Sequence, residues 1–256
     1  MIIGVTAMIT RENLQQCLRA SLGALTLLAI LVAGPVPRSF AADEVAFDSA
    51  EQAVEALYKA VGTLDHVAIA RLVGPLASSA DTVQDKADRQ RFIQKYSEMH
   101  RLVREPDGST VLYIGAENWP FPVPLVSHDG KWRFDPVAGA REIMFRRIGE
   151  DETAAVETCG SMAKAGDQNA PAQSARGYQF RVLPTSNGAV VVAFPSEYGS
   201  TGVMTFVATP DGTVREKDLG PRTVERAQTM TRYKPDRTWH VSELSPNPPN
   251  EATRVR

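Results

Sequence analysis

Residues 178–217, with the sequence YQFRVLPTSNGAVVVAFPSEYGSTGVMTFVATPDGTVREK, decide the architecture of the C-terminal part of the chain. Apolar and polar residues alternate over 178–183 and 202–209, which is typical of strands with one buried face. Residues 189–194 are apolar throughout, as in a strand buried on both faces. The Asp211-Gly212 pair is a strong signal for a tight turn. The stretch therefore predicts an antiparallel meander of about four strands.

Upstream of the meander, residues 47–99 follow a helical period, with apolar residues three or four positions apart. Ser49 and Gln52 have the spacing of a capping box, and Asp65 can cap a second helix. A third helix is predicted over residues 86–99. The sequence therefore predicts a helical start to the folded chain.

The segment that follows changes from a helical to a β period. Residues 102–135 contain β-rich runs, and the Asp129-Gly130 pair predicts a hairpin among them. Residues 138–162 then have the pattern of a long helix rich in Arg and Glu. We therefore predict an α+β fold, with N-terminal helices and a small antiparallel sheet, a long connecting helix, and a C-terminal antiparallel β-meander.

Composition shifts indicate where the chain divides. Residues 164–176, KAGDQNAPAQSAR, are small and polar, which is typical of a linker. This linker would separate an α+β N-terminal domain at 42–163 from a β-rich C-terminal domain at 177–241. Residues 242–256 are rich in proline and asparagine and are predicted to be a disordered tail.

Residues 1–41 have the organisation of a secretory signal peptide. Arg11 and Arg19 precede an uncharged apolar run, Leu22–Ala33, and small residues then allow cleavage on either side of Ala42. The apolar run is shorter than the roughly 20 residues that a membrane-spanning helix needs. We therefore expect the signal to be removed, leaving a periplasmic or secreted protein with no stable membrane anchor.

Charge and cysteine content exclude several classes of function. The formal net charge is −2, and residues 1–41 carry +2, which leaves −4 on the remainder. A mildly acidic chain has no electrostatic reason to bind nucleic acid. Cys17 lies within the signal peptide, so Cys159 would remain without a partner for an internal disulfide. We expect Cys159 to be a small buried apolar residue.

Metal and cofactor chemistry have no sequence signature. The four histidines are scattered without the spacing of metal ligands, and no glycine-rich loop precedes a helix. Residues 199–202, GSTG, differ from a nucleophile elbow, which needs a GxSxG pattern at a strand-to-helix turn. The sequence therefore predicts no metal site and no cofactor.

A proline-stiffened segment offers a first candidate for binding. Trp119 and Phe121 alternate with prolines in the sequence WPFPVP, residues 119–124. Prolines reduce the cost of ordering an apolar surface, so these two side chains could be presented to a partner. The alternative interpretation is that both rings cover the edge of the core.

A loop after the buried strand offers a second candidate. Glu197 and Tyr198 follow the strand, while Lys217 and Asp218 lie at the end of the neighbouring hairpin. Antiparallel pairing would bring these residues to one end of the sheet, where a carboxylate near a lysine can bind a polar ligand or act as a general base. The alternative interpretation is a loop stabilised by exposed ion pairs.

Several strings along the chain, in this order, resemble an exported bacterial family known as domain of unknown function family 2950. They are FIQKY at 92–96, WPFP at 119–122, GKWRFD at 130–135, GYQFR at 177–181, FPSEYG at 194–199 and EKDLGP at 216–221. Relative to the family, this chain is shortened between Cys159 and Gly177 and again before Phe194. The resemblance implies export and supplies no activity. The meander also looks like the C-terminal sheet of some pilin-like proteins.

The sequence therefore favours an exported, non-enzymatic module that binds a protein or glycan of the cell envelope. One alternative is a periplasmic hydrolase that uses carboxylates near Glu197 and Asp218. Another is a pilin-like assembly subunit, against which stands the cleavable signal at residues 1–41, because pilin-type anchoring keeps a long N-terminal apolar helix.

Overall fold

The computed structural model describes residues 45–77, 82–186 and 188–244 of the chain. The contacts among them divide the chain between Ile143 and Met144. We call the described residues up to Ile143 the N-terminal unit and those from Met144 onward the C-terminal unit. The predicted signal peptide lies outside the described residues. Within the described ranges, no helix is both long enough and apolar enough to cross a membrane.

The N-terminal unit begins with three α-helices: α1 (Ala50–Thr63), α2 (His66–Val73) and α3 (Val83–Glu98). The side chain of Ser49 accepts a hydrogen bond from the backbone N–H of Gln52 at 3.2 Å, and that of Asp65 accepts one from Ala68 at 2.9 Å. Both predicted caps are therefore confirmed. The third helix begins three residues before its predicted start, because a capping box anchored on Thr82 starts it there.

Five strands form the antiparallel sheet of the N-terminal unit: β1 (His100–Arg104), β2 (Thr110–Ile114), β3 (Trp119–Pro120), β4 (Leu125–His128) and β5 (Lys131–Phe134). The order is β1-β2-β4-β5, and the short strand β3 pairs with β2. Asp129 and Gly130 join β4 to β5 with φ values of 52° and 74°. Positive φ at both positions is what a tight hairpin turn requires, so the predicted hairpin is confirmed.

One long helix, α4 (Pro136–Ala165), joins the two sheets along the chain. The carboxylate of Asp135 caps it by accepting hydrogen bonds from the N–H groups of Val137 and Ala138, at 3.0 and 2.9 Å. The division between the two units falls inside this helix. The domain boundary predicted at residues 164–176 stays a prediction.

The C-terminal unit contains a six-stranded antiparallel sheet and one short helix: β6 (Gln173–Ala175), β7 (Tyr178–Thr185), β8 (Gly188–Pro195), β9 (Met204–Ala208), β10 (Val214–Asp218), β11 (His240–Val241) and α5 (Thr223–Thr229). The strands lie in sequential order, so the predicted meander is confirmed and gains a strand at each edge. The molecule thus has the predicted α+β architecture.

Both faces of this sheet are covered by apolar side chains. One face packs against α4, where Cys159 is fully buried and donates a hydrogen bond from its thiol to the carbonyl of Val191 at 3.3 Å. Burial raises the pKa of this thiol to about 12, so it is neutral at physiological pH. The other face packs against α5 and Trp239. Cys159 is therefore the buried apolar residue that the sequence predicted.

The chain remains folded slightly beyond the predicted start of its tail. Ser242 is fully buried, and its N–H donates a hydrogen bond to the carbonyl of Val214 at 2.9 Å. Leu244 packs against the face that carries α4. Residues 245–256 of the predicted tail lie outside the described residues.

Candidate functional site

The proline-stiffened segment contributes to the core and offers no exposed ring. Trp119 is 7% exposed and Phe121 is 2% exposed. The Phe121 ring meets the rings of Phe92 and Phe134 edge-on, with centroids 5.8 and 6.2 Å apart. The partner surface proposed for Trp119 and Phe121 is therefore corrected to the alternative interpretation, in which both rings are buried at the edge of the core.

The loop between β8 and β9 brings two of the predicted residues together. The hydroxyl of Tyr198 donates a hydrogen bond to the carboxylate of Asp218 at 3.1 Å. Glu197 is exposed, and its backbone N–H and C=O groups hydrogen-bond with Thr201. The loop therefore directs Tyr198, and not Glu197, toward Asp218.

Lys217 is separated from Asp218 by the pleat of β10. Neighbouring residues on a strand point to opposite faces of the sheet. On its own face, the ammonium of Lys217 lies 3.9 Å from a carboxylate oxygen of Asp236 and 5.7 Å from the centre of the Trp239 ring. Lys217 and Asp218 therefore leave the strand on different sides, and of the residues predicted to converge at this end of the sheet, Tyr198 and Asp218 are in contact.

Glu152 on α4 interacts electrostatically with Glu216 and Asp218 on β10, and we call these three residues the carboxylate cluster. Glu152 is 7% exposed. One of its oxygens accepts hydrogen bonds from the N–H groups of Val203 and Met204, at 2.9 and 3.0 Å. The Glu152 side chain thus links α4 to the start of β9 through these two hydrogen bonds.

Burial is the largest influence on the pKa values of two of these residues, Glu152 and Glu216. It raises the pKa of Glu152 against the lowering effect of the hydrogen bonds that this carboxylate accepts. Burial also raises the pKa of Glu216, and the charges of Glu152 and Glu243 add to that rise while a hydrogen bond with Ser242 opposes it. Among the described residues, no group of three or more His, Cys, Asp or Glu side chains could hold a metal ion.

Close packing explains the glycine at the end of the same loop. A Cβ atom at Gly202 would overlap the hydroxyl of Tyr178. That hydroxyl donates to the carbonyl of Met204 at 2.9 Å and to Glu152 at 3.4 Å. The residues around Glu152 therefore satisfy one another, which is the arrangement of a structural network.

A concave site lies elsewhere, in the N-terminal unit. A cavity of about 450 Å³ opens between α2 and β5, and we call it the N-terminal cavity. Its volume falls within the range of small-molecule sites, roughly 300–1,000 Å³. Six of the ten residues that line it are apolar: Val45, Val67, Ala70, Leu72, Phe134 and Pro136. The walls therefore suit a ligand with a substantial apolar part.

All three ionisable residues that line the N-terminal cavity are of the basic type. They are His66, Arg71 and Arg133. Arginine keeps its positive charge at every physiological pH. Two permanent positive charges beside apolar walls give the cavity the electrostatics of a site for an anionic group.

The local structure explains how these residues come to line the same cavity. His66 begins α2 and Arg71 lies in its last turn, while Arg133 belongs to β5. Gly74 ends α2 with φ of 60°, and a Cβ there would lie 3.3 Å from the Cβ of Pro136. A glycine at this point therefore allows the end of α2 to approach the start of α4.

The sequence offered a signal for Glu152 and none for the cavity. Glu152 lies four positions from both Ile148 and Val156, which are buried on α4. A carboxylate within a buried helical stripe is a marker that periodicity could have found. Arg71 and Arg133, in contrast, lie on separate elements far apart in the sequence, and no local pattern connects them.

Comparisons with known proteins give one result for the family. The model of a family described as "Protein of unknown function (DUF2950)" matches residues 44–182 and 172–242, most of the chain. This match confirms the resemblance that the sequence strings indicate. No curated protein and no solved structure matches the chain.

Proposed function

Because the chain belongs to the DUF2950 family, whose description gives no activity, we propose a function from the chain's own geometry: an exported binding module that holds a small ligand in the N-terminal cavity. The observation that carries this proposal is the cavity itself. It combines a ligand-sized volume, mostly apolar walls and cationic side chains in its lining, which together are the usual features of a binding site.

Surface exposure around the cavity also supports binding. Val67 lines the cavity and is 63% exposed, and Val45 lines it at 37%. Single exposed valines are ordinary on a protein surface, but apolar side chains gathered at a cavity mouth mark places where partners or ligands dock. The mouth of the N-terminal cavity therefore has the composition expected of a docking site.

Export is the second part of the proposal, and it rests on the signal pattern of residues 1–41. The complete gene, carrying a C-terminal tag, should be expressed in a Gram-negative bacterium and the cells fractionated. We expect to find the protein in the periplasm. Its intact mass should correspond to a chain whose first residue is Ala42 or Asp43. A cytoplasmic protein that retains residues 1–41 would contradict export, and a retained apolar helix in an assembly would favour the pilin-like alternative.

The contacts of Glu197 and Asp218 give the hydrolase alternative less support than the N-terminal cavity gives to binding. Glu197 is exposed on its loop, and Tyr198 occupies the hydrogen-bonding position beside Asp218. The buried carboxylate of Glu152 is engaged by backbone donors. These contacts favour binding over hydrolysis as the proposed function.

Binding can be tested with Nile red, a neutral dye whose fluorescence rises in apolar sites. The mature protein should bind it saturably. Ala70→Trp places a large ring on the cavity wall, so this variant should lose saturable binding. Ala140→Trp is the matched control, because Ala140 is also an exposed helical alanine of the N-terminal unit but does not line the cavity.

Two outcomes would contradict the binding proposal. One is the absence of saturable Nile red fluorescence with the folded wild-type protein. The other is equal binding by Ala70→Trp and Ala140→Trp, which would place the dye outside the N-terminal cavity. Circular dichroism of each variant establishes that the fold is retained.

A further inference from the structure

We infer that the N-terminal cavity binds a single-chain amphiphile with a carboxylate head group, such as a medium-chain fatty acid. The inference rests on the proposed function, since it names the ligand class of the same site. It follows from the charge of the cavity, from the character of its walls and from the exposed valines at its mouth.

Charge complementarity selects an anionic head group. His66, Arg71 and Arg133 line the cavity, and no Asp or Glu stands among its lining residues. The planar fork of an arginine matches the two oxygens of a carboxylate, which makes this pair one of the stronger polar contacts in proteins.

The walls select an alkyl chain for the rest of the ligand. Leu72 and Phe134 are buried and form part of the lining, while Val67 and Val45 lie at the exposed mouth. Burying a methylene group in such a site contributes about 0.8 kcal/mol. The apolar side chains of the lining can therefore bury part of an alkyl chain.

The balance of polar and apolar lining favours a compact head group. Only a few polar side chains are available, so a large sugar or peptide would lack hydrogen-bond partners for most of its polar groups. A carboxylate needs only one or two cationic donors. A fatty-acid carboxylate therefore fits both the number of donors and the apolar walls.

The test compares dodecanoate with 1-dodecanol and dodecyltrimethylammonium, which carry the same chain. Each is titrated, below its micelle concentration, into the mature protein saturated with Nile red. We expect dodecanoate to displace the dye with an affinity on the order of tenfold above that of dodecanol, the difference that one charged hydrogen bond makes. The ammonium compound should be the weakest of the three.

Charge reversal at one cavity arginine gives the decisive variant. Arg71→Glu should weaken dodecanoate on the order of tenfold or more and leave dodecanol unchanged. Arg104→Glu is the matched control, because Arg104 is an exposed arginine of the same unit that does not line the cavity. Its affinities should stay within about twofold of wild type.

The outcomes separate this inference from the proposed function. If dodecanol displaces Nile red as well as dodecanoate does, or if Arg71→Glu and Arg104→Glu behave alike, the carboxylate ligand is wrong while binding in the cavity stands. If Nile red binding is itself insensitive to Ala70→Trp, the proposed function fails first. Val67→Asp adds a negative charge at the mouth and should also weaken dodecanoate, whereas Val83→Asp, at an exposed valine outside the cavity, should not.

Discussion

The molecule gathers charges of one sign in two places, and it treats them differently. In the C-terminal unit, Glu152 of the carboxylate cluster is buried and is held by backbone N–H donors of the same chain, while Glu216 and Asp218 are half-buried. In the N-terminal unit, the cationic side chains line an open and mostly apolar cavity. Glu152 is thus packed into the structure, whereas the cationic side chains are placed around space that a ligand can occupy.

The contrast teaches how to separate structural charges from charges that serve binding. A buried ionised group is tolerated when hydrogen bonds replace its lost hydration, and it then stabilises the fold. A charged group that stays exposed beside a cavity keeps most of its hydration and contributes little to the stability of the fold. If this distinction holds, substitutions in the two regions should differ in their effect on folding stability.

The largest effect is expected for Glu152→Ala. The N–H groups of Val203 and Met204 would lose their acceptor, and we expect the free energy of unfolding to fall by about 2–4 kcal/mol. Urea denaturation of the mature protein measures this free energy of unfolding. Glu157→Ala, at an exposed glutamate of the same helix, should change stability by less than about 0.5 kcal/mol. Equal losses of stability for both variants would contradict the proposed role of Glu152 in holding the fold together.

A conservative variant sharpens this prediction. Glu152→Gln keeps one carbonyl oxygen that can accept from both N–H groups, and its side chain cannot ionise. We expect its loss of stability to be less than half that of Glu152→Ala. A loss as large as that of the alanine variant would show that the charge, and not the acceptor, holds the start of β9.

Packing against the carboxylate cluster gives the next largest effect. Gly202→Ala places a methyl group on the hydroxyl of the fully buried Tyr178, which should cost about 1–3 kcal/mol. Gly160→Ala is the control, and its effect on stability should have the opposite sign. Its new Cβ would lie 3.7 Å from Val214, which is an ordinary contact. Replacing this helical glycine should stabilise the protein by about 0.5–1 kcal/mol. Thermal unfolding monitored by circular dichroism compares the two variants.

Much of the fold follows from local patterns. The alternation over residues 178–183 and the Asp211-Gly212 turn predict the meander, because strand period and turn chemistry act within a few residues. The caps at Ser49 and Asp65 are equally local. These elements were predictable because the interactions that specify them join near neighbours in the sequence.

The candidate site could not be predicted in the same way. The proline alternation around Trp119 fits a buried edge strand and an exposed segment equally well. Only the packing of Phe92 and Phe134 against Phe121 shows that the segment is buried. Arg71 and Arg133 line one cavity because α2 contacts β5, which is a tertiary contact without a sequence signature. Long-range contacts therefore set the limit of what the sequence alone determines.

A smaller effect concerns pH. The pKa of Glu216 is raised in the folded state above its usual value of 4.5, first by burial and then by the charges of Glu152 and Glu243. The folded state then binds the proton more tightly than the unfolded chain. The contribution of Glu216 to stability is therefore greatest below pH 4.5 and declines as pH rises through the raised pKa.

Glu216→Gln tests this sign. The variant should be more stable than wild type at pH 8, and the difference should shrink as pH falls toward 4.5. Asp211 and Asp236 have lowered pKa values and contribute the opposite slope, but they are present in both proteins and cancel in the difference. Urea denaturation at several pH values measures it. A difference that grows at low pH would mean that Glu216 stabilises the fold as a charged group.

The smallest change in folding stability is expected for a substitution in the N-terminal cavity. This substitution is also the most direct test of the contrast between the two regions. Val67→Asp removes an exposed apolar side chain and adds a negative charge in the first turn of α2, which the helix dipole favours. Val83→Asp makes the same change in the first turn of α3, outside the cavity. Both variants should unfold within about 0.5 kcal/mol of wild type. A much larger loss for Val67→Asp alone would mean that the cavity wall is part of the core, and the cationic lining would then need a structural explanation like that of the carboxylate cluster.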